Sequence, residues 1–365
     1  MLRRSIVVVL AAVTALALSA GPVAAVPLPF DPPQTVIGGC TSYWADAGMR
    51  NGVLTGYASC GEGENIRFLS RNADRSVNPS EATGFVGKVM GVTADSTASY
   101  VLYFNDTQIL IGKRTNAGAY STRVVDTFGG GGLYPTGDVI ARDGQWFGVW
   151  SEQVGPGGEF AETDLFFASS SHSPAPVPPA TSALDDLQPT LAYSDTTPVL
   201  VWTQWDSPAI PGPSDLLVSK YIAGSWQATR VFASAGTFNV TPDIHIAGGR
   251  TFVAWQRDGF VWVASNATGS FVSRMFNIGG DFPKVAASAS SGFVDHVFVT
   301  WTAFDGINTR AFFAQTNSTG SVTGNWSGDY VGGVATFVVG AGGYATKGTS
   351  VFTTTTGEVM ARSQS

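Results

Sequence analysis

Two stretches of the chain combine carboxylates with large aromatic side chains, and both have the composition of long loops. Residues 151–162 carry three acids and a phenylalanine, and residues 203–213 carry a tryptophan, an acid and three prolines. A carboxylate can act as acid, base or nucleophile on a glycosidic bond, and a flat indole stacks on a sugar ring. Together with two acids from the segment between these loops, the candidate ligand-binding residues are Trp205, Asp206, Glu152, Glu159, Phe160, Asp185 and Asp186.

The same residues allow other interpretations. If the bound sugar is also cleaved, Glu152 and Asp206 are the catalytic candidates. Carboxylate oxygens also hold Ca²⁺, so Ca²⁺ is the one cofactor left open, and no defined metal site is predicted. The plainest alternative is a solvated acidic rim in which Trp205 packs against its own prolines.

Motifs for other chemistries are incomplete. Residues 340–345 fit G-x-G-x-x-A, but a dinucleotide site needs a helix next, and a strand pattern follows instead. Neither G-x-S-x-G nor H-E-x-x-H occurs, and His172, His245 and His296 are scattered. The chain has 27 acidic and 20 basic residues and a net charge of −7. Because such a chain repels phosphate backbones, nucleic acid is not expected as a partner.

The elements that must position these residues are short strands in a long repeat. A run of β-branched and aromatic residues leads to an anchor at positions 57, 104, 150, 202, 255, 301 and 353, which are 46 to 53 residues apart. Another strand, often opened by a proline, precedes each anchor strand, and a third and a variable fourth strand follow it. Four short strands in a repeat of this length are typical of a β-propeller blade.

Seven anchors predict an all-β fold, a seven-bladed β-propeller of four-stranded blades. Discarding one weak terminal repeat leaves six blades as the alternative. The last repeat stops after its third strand, so residues 33–38 are predicted to supply the missing outer strand and close the ring. The predicted blades span 39–80, 81–126, 127–180, 181–233, 234–277, 278–332 and 333–365.

The turns after several third strands resemble degenerate Asp boxes of the sialidase-like β-propellers. A Ser or Thr, a turn with glycine and an aromatic residue follow one another in residues 115–120 and 265–271, with less regular copies in 223–226 and 316–326. The aspartate of the motif is absent. The resemblance implies a fold and not an activity. Sialidases need an arginine triad, a Tyr–Glu pair and an acid–base aspartate. These are not recognisable in this sequence, so the resemblance assigns no catalytic residue.

The N-terminal residues have the pattern of a secretory signal. Arg3 and Arg4 precede an apolar run, Ile6–Leu18, and small residues lead to a cleavage site near Ala25. The run is too short to span a bilayer. The mature protein, residues 26–365, is therefore expected as a single propeller domain outside a bacterial cell, monomeric and without a membrane span.

The two cysteines fit an exported protein. Asn51-Gly52 is a hairpin-turn signal between them, and a hairpin centred near residue 50 places Cys40 opposite Cys60. Cross-strand neighbours at that spacing can form a disulfide in an oxidising compartment. A pair of buried free thiols is the alternative.

These patterns favour extracellular carbohydrate recognition, with a carbohydrate or glycoconjugate as the partner. A glycoside hydrolase or polysaccharide lyase acting through the same carboxylates is the second hypothesis. A scaffold propeller that binds another protein is the third. The candidate contact residues do not recur from repeat to repeat, which argues against a lectin with one pocket per blade.

Overall fold

The computed structural model shows a ring of seven β-sheets around a central channel. It describes residues 30–38, 40, 44–128, 134–154, 162–180, 184–205, 213–233, 236–266, 271–290, 293–317, 329–344 and 347–364. The predicted signal peptide lies outside these ranges. Within them, no helix has the length and apolar character that a membrane crossing requires.

Each blade is an antiparallel sheet whose strands run outward from the channel. Blades 1 and 2 comprise β2 (Ala45–Arg50), β3 (Val53–Cys60), β4 (Asn65–Arg71), β5 (Glu81–Val86), β6 (Lys88–Ala94), β7 (Ala98–Asn105), β8 (Gln108–Thr115) and β9 (Tyr120–Thr127). Blades 3 and 4 comprise β10 (Gly137–Arg142), β11 (Gln145–Gln153), β12 (Thr163–Ser169), β13 (Ala175–Pro176), β14 (Asp185–Ser194), β15 (Thr197–Trp205), β16 (Ser214–Ile222), β17 (Ser225–Trp226) and β18 (Arg230–Ala233).

The remaining blades follow the same order. Blades 5 and 6 comprise β19 (Asn239–Ala247), β20 (Arg250–Arg257), β21 (Phe260–Ser265), β22 (Val272–Gly279), β23 (Asp281–Ser290), β24 (Phe293–Phe304), β25 (Thr309–Asn317) and the first part of β26 (Asp329–Tyr344). Blade 7 comprises the second part of β26, β27 (Lys347–Thr354), β28 (Val359–Ser363) and β1 (Gln34–Ile37). The predicted seven-bladed propeller of four-stranded blades is confirmed.

The anchor residues of the repeat form the core. Each lies on the second strand of its blade, where both sheet faces pack against neighbouring blades, and none is more than 3% exposed. Strands that are buried on both faces read as nearly continuous apolar runs, as β7 does. The repeat was detectable because every blade needs a large or β-branched side chain at this position.

The ring closes in blade 7, as predicted. β1 pairs antiparallel with β28, and Gln34 lies opposite Ala361. Arg71 of blade 1 donates hydrogen bonds to Ser363 and Gln34, which ties the closing strand to the next blade as well. The segment that follows β1 therefore crosses from the last blade to the first.

A disulfide joins Cys40 to Cys60, which confirms the predicted pairing. The geometric reason is different from the expected one. The β2–β3 hairpin pairs Ala45 with Ala58, so its register does not place Cys40 opposite Cys60. Cys40 precedes the hairpin, and its backbone N–H donates to Gly357 O in blade 7.

Candidate binding face at the channel mouth

Each blade contributes one residue at a similar depth to the channel wall. In five blades this residue directly follows a register shift in the first strand, and such bulges re-aim side chains. In blade order the seven residues are Asp46, Gly91, Asp138, Thr190, Asp243, Lys284 and Gly340. The wall therefore carries three carboxylates and one ammonium group.

The three carboxylates link neighbouring blades. Asp46 Oδ2 accepts a hydrogen bond from the backbone N–H of Val92 at 2.7 Å, which joins blades 1 and 2. Asp138 Oδ2 accepts from Leu191 N at 2.7 Å and Asp243 Oδ2 from Val285 N at 2.6 Å, joining blades 3 and 4 and blades 5 and 6. Charge-assisted bonds of this kind hold a carboxylate in one position.

Lys284 is the cation of this channel cluster, which we define as Asp46, Asp138, Asp243 and Lys284. Its Nζ donates to Asp243 Oδ1 at 3.3 Å. Its side chain is 32% accessible although it lies deep inside the ring, because water can enter the channel. Burial disfavours the ammonium, but the three surrounding carboxylates outweigh that effect and raise the pKa of Lys284.

The pKa values of the aspartates are raised as well, but for a carboxyl group a raised pKa favours the neutral form. Burial raises the pKa of Asp46 to about 7 and that of Asp138 to about 6, although Lys284 and backbone N–H groups oppose the change. His245, the next channel-facing residue of β19 after Asp243, is half-buried, and desolvation lowers its pKa. The cluster therefore holds an excess of negative charge that increases as pH rises through neutrality.

A cavity of about 220 Å³ lies at the mouth of the channel, above this cluster. Asp46, Asp138 and Lys284 line it, and its apolar walls come from Trp44, Phe282, Pro135, Pro189, Pro242 and Pro283. Sites for drug-sized ligands measure roughly 300–1,000 Å³. The cavity therefore suits a small ligand or one unit of a larger one.

A strained collar surrounds this cavity. Gln188, Thr241 and Phe282 each precede a proline and have left-handed φ angles of 53°, 50° and 52°. A β-branched residue such as Thr241 is a genuine outlier there. Gln188 Oε1 accepts a hydrogen bond from Thr241 N at 2.7 Å, which fixes the collar between blades 4 and 5. Backbone strain of this kind is concentrated at functional sites.

Glu152, one of the residues proposed from sequence, lies on the same face, at the end of β11. Its backbone is paired with Asp164 of β12. Glu152 is half-buried, and its Oε2 accepts a hydrogen bond from Trp150 Nε1 at 3.4 Å. Burial raises the pKa of Glu152 to about 7 and that of Asp164 to about 6.

Asp185 and Asp186 begin β14 and are both buried. Asp185 Oδ1 accepts from the backbone N–H of Thr163 at 3.0 Å. Asp186 Oδ1 accepts from Trp202 Nε1 at 2.6 Å and from Gln204 Nε2 at 2.9 Å. Burial raises the pKa of Asp186 to about 7, and the nearby Asp164 and Asp185 add to the increase.

Trp205 is half-buried at the end of β15. It follows Gln204 in the strand, so its side chain leaves the opposite face of the sheet. Its ring lies 6.2 Å from that of Phe238. The structure thus brings Asp164, Asp185 and Asp186 near one another. Trp205 pairs across the strands with Asp185 but leaves the opposite face of the sheet from Asp186 and Gln204. Glu159, Phe160 and Asp206 lie outside the described residues.

Metal ligands do not converge in the part of the chain that the structure describes. No group of three or more His, Cys, Asp or Glu side chains in these ranges is arranged to hold a metal ion. The candidate face instead offers carboxylates, amides and one ammonium group, which can bind hydroxyl and amine groups or move protons.

Sequence reasoning missed the channel cluster. A usable signal was present, because Thr190, Asp243 and Lys284 each directly follow a proline, which lies within the first strand and not at its start as expected. The prolines indicated the positions of the first strands, but the sequence pattern does not show which residues of a first strand face the channel.

Comparisons with known proteins concern the fold. No protein-family model matches the sequence, and no curated protein matches it. Among solved structures, an S511A mutant of puromycin hydrolase complexed with PGG is 15% identical, with a TM-score of 0.56, and the match covers 90% of this chain and 53% of that one. A mutant of AofleA from Arthrobotrys oligospora is 11% identical, with a TM-score of 0.50 and coverage of 86% and 94%.

A structure from a study of two prolyl endopeptidases is 10% identical, with a TM-score of 0.53 and coverage of 92% of this chain and 47% of that one. The chain thus spans about half the length of the puromycin hydrolase. Identities this low carry the fold alone. Fold and comparisons together define the chain as a seven-bladed β-propeller, and the sialidase-like subclass stays a prediction.

Proposed function

We propose that the protein recognises carbohydrate outside the cell and holds one sugar unit in the channel-mouth cavity. The observation that carries this proposal is the Asp243–Lys284 pair beneath the cavity. A sugar hydroxyl both donates and accepts hydrogen bonds, whereas a carboxylate only accepts and an ammonium only donates. Neighbouring hydroxyls on a sugar ring are complementary to such a pair.

The walls of the cavity suit the rest of a sugar. The C–H face of a sugar ring packs on flat apolar surfaces, and the mouth offers four prolines with Trp44 and Phe282. Phe282 is 44% exposed, so it is available to a ligand. The extracellular setting is supported by the Cys40–Cys60 disulfide, because such bonds persist in oxidising compartments.

The acidic loops of blades 3 and 4 would contact further units of a longer glycan. We define this rim as Glu152, Glu159, Phe160, Asp185, Asp186, Trp205 and Asp206. Its support is location, because the ends of β11 and β15 lie beside the starts of β10 and β14. In this proposal the channel mouth selects the sugar and the rim extends the contact.

A glycan array compared between wild type and Asp243→Asn tests the proposal. Asparagine keeps the shape and an acceptor for Val285 N but removes the charge paired with Lys284. We expect binding of at least one glycan class to fall about tenfold or more, as for loss of a charge-assisted hydrogen bond of about 1.5–3 kcal/mol. Asp195→Asn, on the β14–β15 turn at the opposite face, is the matched control. A blank array for wild type, or equal loss in both variants, would reject the proposal.

A glycoside hydrolase or polysaccharide lyase is the second candidate. It is favoured by the raised pKa values of Glu152 and Asp186, since a carboxyl group that titrates near neutrality can donate or accept a proton in a reaction. Glu152→Gln should then abolish product release from a cleaved glycan while leaving binding nearly intact. Turnover that survives this change would remove Glu152 from the catalytic candidates.

A further inference from the structure

The charge balance of the channel mouth points to a more specific ligand. We infer that the sugar unit in the cavity carries a protonated amine, as an amino sugar does. The inference rests on the proposed function and narrows its substrate class.

The first argument is the number of charges that surround the cavity. Below it, three carboxylates stand against the single ammonium of Lys284. Beside it, the described residues of blades 3 and 4 on this face add the acids Glu152, Glu162, Asp164, Asp185 and Asp186. A ligand ammonium gains from this excess, whereas a carboxylated sugar is repelled.

The basic side chains near the mouth do not offset this excess of negative charge. Lys88 Nζ lies 3.9 Å from the Tyr134 ring centroid and 3.2 Å from Glu64 Oε1. Its charge is therefore already matched by a carboxylate and an aromatic face. The neighbouring Arg257 and Arg310 are likewise paired, with Asp258 and Asp305.

The second argument is hydrogen bonding. An ammonium has three donors and no acceptor, which suits a wall where carboxylates outnumber cations. Asp46 and Asp138 border the cavity directly, and their bonds to Val92 N and Leu191 N hold the two carboxylates in place before any ligand arrives. An acetylated amine loses both its charge and two of its donors.

The two arguments together predict a pH dependence with a definite sign. The charged groups that face Asp46 and Asp138 are Lys284 and Asp243, and the half-buried His245 lies beside Asp243. A bound cation favours the ionised aspartates, so binding releases protons wherever these groups are still protonated. Affinity for an amine should therefore rise from pH 5 to about 7.5. It should fall above about pH 8, where an amine with a pKa like that of an α-amino group, about 7.7–8.0, loses its charge.

Ligand-observed NMR titrations of the full mature chain provide the test. Glucosamine, N-acetylglucosamine and glucose are titrated at pH 5 and pH 7.5, with cyclohexylamine as an amine without a sugar ring. We expect glucosamine to bind at least tenfold more tightly than the two neutral sugars at pH 7.5, and the difference to shrink at pH 5. Cyclohexylamine should bind more weakly than glucosamine.

Two variants locate the effect. Asp46→Asn and Asp138→Asn should each reduce the preference for glucosamine over glucose at least threefold, and Asp195→Asn on the opposite face should retain that preference. Equal affinity for glucosamine and glucose, or a preference untouched by both variants, overturns the inference but leaves carbohydrate recognition intact. Cyclohexylamine binding as tightly as glucosamine overturns it too. Binding of none of the sugars overturns the proposed function itself.

Discussion

The channel cluster and the described acids of the rim, Glu152, Asp185 and Asp186, lie on the same face, yet they are built differently. In the channel, each carboxylate comes from the first strand of a blade and accepts a hydrogen bond from the backbone of the next blade. In the rim, Glu152 and Asp186 come from strand ends, and both accept the indole N–H of an anchor tryptophan.

This difference separates two uses of a buried acid. Blade 5 repeats the Asp186–Trp202 arrangement with an amide, since Asn239 Oδ1 accepts from Trp255 Nε1 at 3.1 Å. An uncharged acceptor therefore suffices for that structural purpose. In the channel, by contrast, Lys284 needs the charge of Asp243, and no neutral counterpart replaces it.

The largest effect is expected from breaking the channel cluster. Lys284→Met leaves three carboxylates without their cation. Removing one partner of a buried ion pair costs about 3–5 kcal/mol, and we expect about 2–3 kcal/mol here because water reaches the channel. The loss should be greater at pH 8 than at pH 5, where Asp46 and Asp138 can take up protons. Urea denaturation at both pH values measures it, and an equal loss at the two would show that the charges do not interact.

A smaller effect is expected from removing one aromatic side chain, and the loss of glycan affinity should show which of the two regions contributes more to binding. Phe282→Ala removes an exposed wall of the cavity and should weaken glycan binding about tenfold, the equivalent of about 1.4 kcal/mol. Trp205→Ala should weaken it only about threefold, because that ring leaves the other face of blade 4. Dissociation constants of both variants for the best glycan on the array decide the order. If Trp205→Ala has the larger effect, the rim is the primary site.

The smallest effect concerns Asp186. Its pKa is raised on folding, so its contribution to stability is fully present below the unfolded pKa near 4 and is lost as pH rises toward 7. The free energy of unfolding of Asp186→Asn should therefore lie within about 1 kcal/mol of the wild-type value at pH 5 and should not be lower than the wild-type value at pH 7.5. Asp186→Leu, which leaves Trp202 Nε1 without an acceptor, should lose about 1–3 kcal/mol at both. Thermal melts at the two pH values test this ordering. If Asp186→Asn is less stable than wild type at pH 7.5, the negative charge of Asp186 itself stabilises the fold.

The anchors and the closing strand were predictable because each follows from local pattern or spacing, and the disulfide pairing was predictable because the chain has only two cysteines. Trp150, Trp202, Trp255 and Trp301 had to recur because every blade packs on both faces. The hairpin register near Cys40 was predicted wrongly, because the two-residue Asn51-Gly52 loop pairs Arg50 with Val53 and places the centre between residues 51 and 52, not at residue 50. The channel cluster was missed for a different reason. Its four residues come from blades 1, 3, 5 and 6, and the equivalent positions of the other blades hold Gly91, Thr190 and Gly340, so no single residue type marks the position.

The bonds from the channel aspartates to backbone N–H groups also bear on the rate of binding. Val92, Leu191 and Val285 belong to strands, so no loop has to order before Asp46, Asp138 and Asp243 are in place. A preorganised site avoids the entropy of ordering side chains on association. The encounter is then limited by diffusion into a narrow opening, and differences in affinity among ligands should appear mainly in how long each one stays.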